Sequence, residues 1–426
     1  MLRSLVLVPL IVLAQVSTPA EQRIVSAVDA RNADALALLE KVVNINSGSH
    51  NLKGVRAVGD AFRAEFDALG FKTAWVDGAA FHRAGHLVAD HPGPGPRMLL
   101  IGHLDTVFEA DSPFQTFQRL DDKTAKGPGI IDMKGGDVII VAAMKALKAA
   151  GVLDAMNVVV VMTGDEEDTG DPQAVAREAL VKAAKGAQYA IGFEDGPGDP
   201  RYAVTARRGT SGWTLEVTGT PAHSSQIFRS DIGYGAIFEA ARILDGFRQK
   251  LAGEEHLTFN PSVILGGTAV ELDAALTKGT ASGKTNVVPE HASVLGDLRT
   301  LSKAQLEHAR QTMKAVVVQS LPHTHATLTF EDGYPSLAPT EGNARLLAMY
   351  DQASRDLGFG PVAAVSPDRA GAADVSFVAD EVPNIIDGVG LMGHDDHTAG
   401  ETADLTTLPS QTKRAAVLLY RLSNHR

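Results

Sequence analysis

Three apolar runs in this chain each stop at a histidine or a carboxylate, and that repetition constrains the fold more than any other feature. Residues 98–101 lead through Gly102 to His103 and Asp105. Residues 157–162 lead into Gly164-Asp165-Glu166-Glu167-Asp168, and residues 188–192 are followed by Glu194-Asp195-Gly196. Uninterrupted apolar runs, as opposed to alternating ones, belong to strands covered on both faces, which is the habit of α/β sheets. Ligands in such folds bind where the strands end. A histidine that holds a metal needs one ring nitrogen free and the other tied to an acceptor, and Asp105 stands two residues from His103. Taken alone, the pair is equally a polar strand end. The adjacent acids at 165–168 repel one another unless a cation or hydrogen bonds compensate, although surface turns share the pattern.

Composition narrows the setting. The chain has 426 residues, 44% of them hydrophobic, enough for more than one core. Its formal net charge of −12 disfavours nucleic acid and anionic membrane as partners. With no cysteine there is neither a disulfide framework nor a thiolate site, so a metal would be held by His, Asp and Glu. Residues 1–20 carry Arg3, a short apolar segment and Thr18-Pro19-Ala20, the layout of a secretory signal cleaved before Glu21. The competing reading is an uncleaved anchor, against which the apolar stretch is short of a membrane span. A secreted or periplasmic protein is expected, with no membrane partner once the signal is removed.

The periodicity predicts helices over 24–39 and 55–69, the latter stopped by Gly70, and strands over 71–76 and 86–89. HPGPGP, residues 91–96, reads as a hairpin connection. His50, His82, His86 and His91 lack carboxylates at ligand spacing and read as surface or packing residues. The glycine-rich run KGPGIIDMKGG, 126–136, ends where a helix begins, which places Asp132 on a tight loop beside a helix N-terminus. Such a loop can cradle phosphate, but the G-x-x-x-x-G-K-[ST] order is missing and Asp132 would repel the anion.

Near Arg208 the texture changes. Residues 209–331 read as an inserted β-α-β-β-α-β unit, ferredoxin-like, between the two parts, 21–208 and 332–426, of the first domain. The insert holds His223 just past a strand and Asn286 before Val-Val-Pro. The last part ends in a buried strand that runs into DGVGLMGHDDHTAGE, where His394 and His397 both offer imidazoles.

GHLDTV, KGPGIIDMKGG, TGDEEDTG, FEDG and HTAGE, in this order, resemble the signatures of the co-catalytic zinc exopeptidases that include glutamate carboxypeptidase, acetylornithine deacetylase and succinyl-diaminopimelate desuccinylase. RRGTSGWTLEVTGTPAHSS makes the resemblance closest to the glutamate carboxypeptidase branch. It implies an α/β fold: a mixed-sheet catalytic domain with an inserted α+β ferredoxin-like lid or dimerisation domain. It also implies two zinc ions, or cobalt or manganese on the same ligands. Asp132 would bridge them, His103 and Glu194 completing one site and Glu167 and His397 the other. His397 is preferred to His394 because Glu401 stands four residues on, as in relatives. Glu166 would be the general base, Asp105 would orient His103, and His223 would reach the site of a partner subunit in a homodimer. Asn286 and Arg299 would hold a free carboxylate or the oxyanion. The family's G-G-G-[ST]-D segment reads Ala370-Gly371-Ala372-Ala373-Asp374 here.

The expected function is a metal-dependent, carboxypeptidase-like hydrolase cleaving a peptide or N-acyl amide beside a free carboxylate, in a small peptide or N-acyl amino acid. An aminopeptidase or deacylase is the alternative within the class. A non-catalytic, metal-dependent peptide-binding protein is the alternative outside it, disfavoured by Glu166, which only proton transfer requires.

Overall fold

The computed structural model describes residues 18–273 and 278–425. All but the last three residues of the expected signal segment lie outside them. Thr18 caps the first helix, Pro19–Ala30: its Oγ1 accepts from the Glu21 N–H, and the Glu21 carboxylate accepts from the Thr18 N–H. The helical pattern expected over 24–39 is two helices, Pro19–Ala30 and Asn32–Val43, because Arg31 between them leaves helical dihedrals at φ −113° and ψ 8°. Helix Leu52–Leu69 opens on an Asn51 cap and closes on Gly70, whose φ of 91° few other residues would adopt.

The chain divides into two compact units. The first runs to Thr205 and resumes over Pro339–Val365 and from Val378; the second is Ala206–Ala338 with Ser366–Phe377. At the centre of the first lies a mixed sheet in the order Lys72–Asp77, Gly85–His91, Asn157–Thr163, Arg97–His103, Tyr189–Gly192, Ile385–Ile386. The expected hairpin across residues 91–96 is not formed. Asn157–Thr163 lies between the two strands, antiparallel to Gly85–His91 and parallel to Arg97–His103. Pro92, Pro94 and Pro96 have no N–H to pair with, and the run of valines at 158–161 is buried on both faces only in an interior position.

Leu100, Val160 and Ile191 of this sheet share one core with Val138 and Ile139 of helix Gly135–Ala149 and with Leu418 and Leu419 of helix Thr407–Ser423. Each such side chain contributes about 1.5–3 kcal/mol by leaving water. His103, Thr163 and Gly192 therefore end three adjacent parallel strands at the same edge of a rigid sheet.

The second unit has the expected ferredoxin-like order. Strands Thr258–Gly267, His291–Thr300, Gly209–Gly219 and Thr324–Asp332 form an antiparallel sheet in that spatial sequence. Alternation along Gly209–Gly219 buries Trp213, Leu215 and Val217 against Ile243 and Phe247 of helix Gly235–Leu251 and Met313 of helix Lys303–Val317. A hairpin, Ala269–Leu272 with Gly279–Ser282, adds to the pattern.

Candidate metal centre

His103 is the last residue of its strand and is buried. Its Nδ1 lies 3.1 Å from the Asp105 carbonyl oxygen and 3.5 Å from Asp105 Oδ1. Asp105 thus stands against the ring with two acceptors, of which its main-chain oxygen is the nearer. With Nδ1–H so engaged, the Nε2 lone pair faces outward, 3.0 Å from Asp132 Oδ1 and 3.5 Å from Glu194 Oε1. A lone pair aimed at two carboxylates is repulsive unless a proton or a metal ion lies between them.

Asp132 comes from the turn Ile130–Lys134 that precedes helix Gly135–Ala149. It directs Oδ1 to His103 and Oδ2 to His397 Nε2, 2.9 Å away. The same nitrogen of His397 is 3.2 Å from Glu167 Oε2. Two groups, His103 with Asp132 and Glu194, and Asp132 with Glu167 and His397, thus have ligand-type atoms within 4.8 Å of one another and share Asp132. His394 instead lines a surface cavity with Lys123 and Asp404.

The electrostatics of the cluster are those of a site short of positive charge. Burial pushes the Glu167 carboxyl up to about 7, with the Asp132 charge adding to the effect. Burial likewise raises Glu194 well above the carboxylate range, against the pull of His103. Asp132 is buried too, yet its bonds to His103 and His397 hold it well below that range. Hydrogen bonds to Asp132 and Glu167 carry the His397 imidazole up to about 11. Glu167 Oε1 is buried with no hydrogen-bond partner among the described residues. A divalent cation on each side of Asp132 would satisfy these carboxylates, free the imidazoles of their extra protons and take up that orphan oxygen. The donor set, imidazole and carboxylate without thiolate, fits zinc, cobalt or manganese.

The loop carrying Glu166 and Glu167 is held from behind. Asp105 accepts from the backbone N–H of Glu166 at 3.0 Å and of Glu167 at 3.1 Å, and from Ser49 Oγ at 2.6 Å. Asp165 turns away from the cluster to the buried Arg177, whose guanidinium donates to its carboxylate at 2.6 Å and to its carbonyl at 3.0 Å. His86 is a packing residue, as expected. It accepts from the Gly164 N–H, lies 2.7 Å from the Ala176 carbonyl oxygen and stacks on Phe81. Glu194 is steadied by Asp387, which accepts from its N–H, while Gly136 and Gly390 let two other segments close on the Phe193 carbonyl where a Cβ would collide.

Sequence reasoning did not single out Ser49, Arg177, Asp387 or the buried Lys134, whose ammonium donates to the Ile45 carbonyl. Nothing in their local sequence marks them: Ser49, Asp387 and Lys134 act across long sequence separations, and Arg177 reaches back 12 residues to Asp165 only because the intervening chain folds back. Glu401 had a signal, its spacing from His397, but not a job. His223, Asn286 and Arg299 all lie in the second unit. The His223 segment pairs with Val287, and the Ser224 N–H donates to the Asn286 carbonyl, so these two predicted residues are neighbours. Arg299 stands apart on strand His291–Thr300, its Nε 2.9 Å from Asp297 Oδ2. In the same unit Arg207 donates to the Gly371 carbonyl and so fixes the Ala370–Asp374 turn.

A mixed sheet whose strand ends deliver two carboxylate–imidazole groups around one aspartate is the layout of a metal-dependent hydrolase. The model of "Peptidase family M20/M25/M40" matches residues 99–422, and the chain belongs to this family; it is an enzyme, a metallopeptidase. Carboxypeptidase G2 of Pseudomonas sp. (strain RS-16) is 27% identical over 399 residues, 90% of this chain and 88% of that protein, in keeping with the glutamate carboxypeptidase branch. The fold matches that of aminopeptidase PepT from Bacillus cereus, with a TM-score of 0.73 at 17% identity over 92% of this chain and 98% of the other. It also matches that of a dinuclear metal binding peptidase of the M20 family from Bacillus subtilis, with a TM-score of 0.64 at 15% identity over 93% and 99%.

Proposed function

We propose that the protein is a carboxypeptidase-like amidohydrolase that binds two zinc ions and cleaves a peptide or N-acyl bond beside a free carboxylate. The observation that carries this reading is the division of Asp132 between two imidazoles, each with a further carboxylate beside it. His103, Asp132 and Glu194 would hold one ion, and Asp132, Glu167 and His397 the other. When bound, the pair of ions supplies Lewis acidity at the scissile carbonyl and lowers the pKa of the attacking water.

The chain's own residues do the rest. Glu166 is fixed through its backbone by Asp105 and is partly exposed beside the cluster, so its carboxylate takes the proton from the attacking water and returns it to the departing amine. Asp105 keeps the His103 Nδ1 protonated and so keeps Nε2 free. Arg299 and Asn286 would bind the substrate's free carboxylate, for which a guanidinium offers a bidentate match.

The protein is further proposed to act as a homodimer in which His223 serves the partner's site. Support comes from the second unit, where the edge strand Thr258–Gly267 exposes Ile264, helix Gly235–Leu251 exposes Phe238 and the loop before that helix exposes Phe228, at 56%, 51% and 57% of their surface. A secreted or periplasmic location is likewise proposed, on the leader-like sequence of residues 1–20.

The test is release of free C-terminal amino acid from a panel of dipeptides and N-acyl amino acids, with chelator and then with zinc restored. Chelator-sensitive, zinc-restored cleavage that is lost when the substrate carboxylate is amidated supports the reading. Cleavage that survives amidation but needs a free N-terminus would replace it with an aminopeptidase.

A further inference from the structure

Glu401 is fully buried, yet the reaction outlined above makes no use of it. Its carboxylate lies beneath the turn that carries Asp132. Oε2 accepts from the Gly129 N–H at 2.9 Å, and Oε1 accepts from the N–H groups of Ile131 at 2.9 Å and Asp132 at 3.3 Å. These donors converge because Gly129, at φ 67°, reverses the chain just before Asp132. A buried carboxylate that takes three backbone donors from one turn leaves that turn little freedom.

We propose that Glu401 is a positioning residue for the pair of metal ions: it sets the orientation of Asp132, the carboxylate shared by both ligand groups, and ties it to the loop that carries His397. The inference rests on the metal reading of the site. Two features separate this role from simple support of the fold. First, the two chain segments are already joined without the side chain, since Thr402–Asp404 pairs with Thr124–Lys126 and the Gly127 N–H donates to the Glu401 carbonyl. Second, among the described residues all three side-chain hydrogen bonds fall on residues 129–132 and none on the surrounding core. Losing them should let the turn rotate while the sheet stays paired. Asp132 would then no longer point one oxygen at each imidazole.

The test uses the full chain and zinc alone, titrated against a competing chelator of known affinity, beside the melting temperature of the metal-free protein. Glu401→Gln keeps shape and size but sets an amide N–H₂ against a backbone N–H. Glu401→Ala removes all three acceptors. Zinc affinity is expected to fall roughly 10- to 100-fold, more for alanine than for glutamine, as for other residues that orient ligands from behind. The metal-free Glu401→Gln protein is expected to stay folded, with a melting temperature lower by only about 2–6 °C, the cost of one opposed pair of buried donors.

Wild-type zinc affinity in both variants would overturn the inference, as would a Glu401→Gln protein that no longer folds, because the backbone pairing is argued to suffice. A wild-type chain that bound no zinc would overturn the metal reading itself and this inference with it. The two failures are therefore distinguishable.

Discussion

Replacing Arg177 with methionine tests how the acidic loop is supported. The guanidinium and the Asp165 carboxylate are 2% and 0% exposed and 2.6 Å apart. Arg177 also donates to the Asp165 carbonyl and to Thr169 Oγ1. Methionine fills much of the same volume, so the dominant loss is electrostatic: Asp165 is left buried with the Gly170 N–H but without its counter-ion. Breaking a buried pair in this way costs about 3–5 kcal/mol. In a body of this size roughly 2 °C of melting temperature corresponds to each kcal/mol, so a drop of ~6–10 °C is expected in calorimetry of the full chain.

The control is the double variant Arg177→Met/Asp165→Asn, which removes both charges and should recover more than half of the loss. A single variant that melted with wild type, or a double variant no better than the single one, would refute the argument that an uncompensated charge is what destabilises the loop.

Glu166→Gln should lower turnover by about 10²- to 10⁴-fold while zinc stoichiometry, read by elemental analysis, stays at the wild-type value. Asp132→Asn should abolish zinc-dependent stabilisation; in wild type, free zinc at 100 times its dissociation constant is expected to add about 2.7 kcal/mol, read as a rise in melting temperature that the variant lacks.

The Glu21 carboxyl is pushed up by burial but drawn further down by Arg421, whose Nε lies 2.7 Å away. A carboxyl lowered in the folded state stabilises above its unfolded pKa, and that stability is lost as pH falls through the folded value. Glu21→Gln should therefore melt below wild type at pH 7 and converge with it in strong acid, which thermal scans across pH would show.

The candidate centre was legible because its chemistry is local. His103, Glu166, Glu167 and Glu194 each follow an apolar run, and Asp132 sits in a glycine-rich turn, so sequence neighbours announce where each side chain emerges. The strand order was not legible. Residues 91–96 resemble a hairpin in composition, and only the competition for an interior position places Asn157–Thr163 between the flanking strands. The helical period over 24–39 ran through Arg31 because periodicity does not register a local change of direction.

Sequence by itself determined the α/β character, the ferredoxin-like order of the second unit and the absence of thiolate ligands, since these depend on residue type and on periods of two and 3.6, while the set of residues expected to hold a cation came from the motifs that resemble the family's. Tertiary structure alone decided that Asp132 gives one oxygen to His103 and the other to His397 across a separation of 265 residues. It also decided that Asp105, Asp387 and Glu401 hold the ligand loops by their backbones. The physical reason is common to all of these. A hydrogen bond between distant segments depends on where the core brings their backbones, and no local pattern encodes that distance.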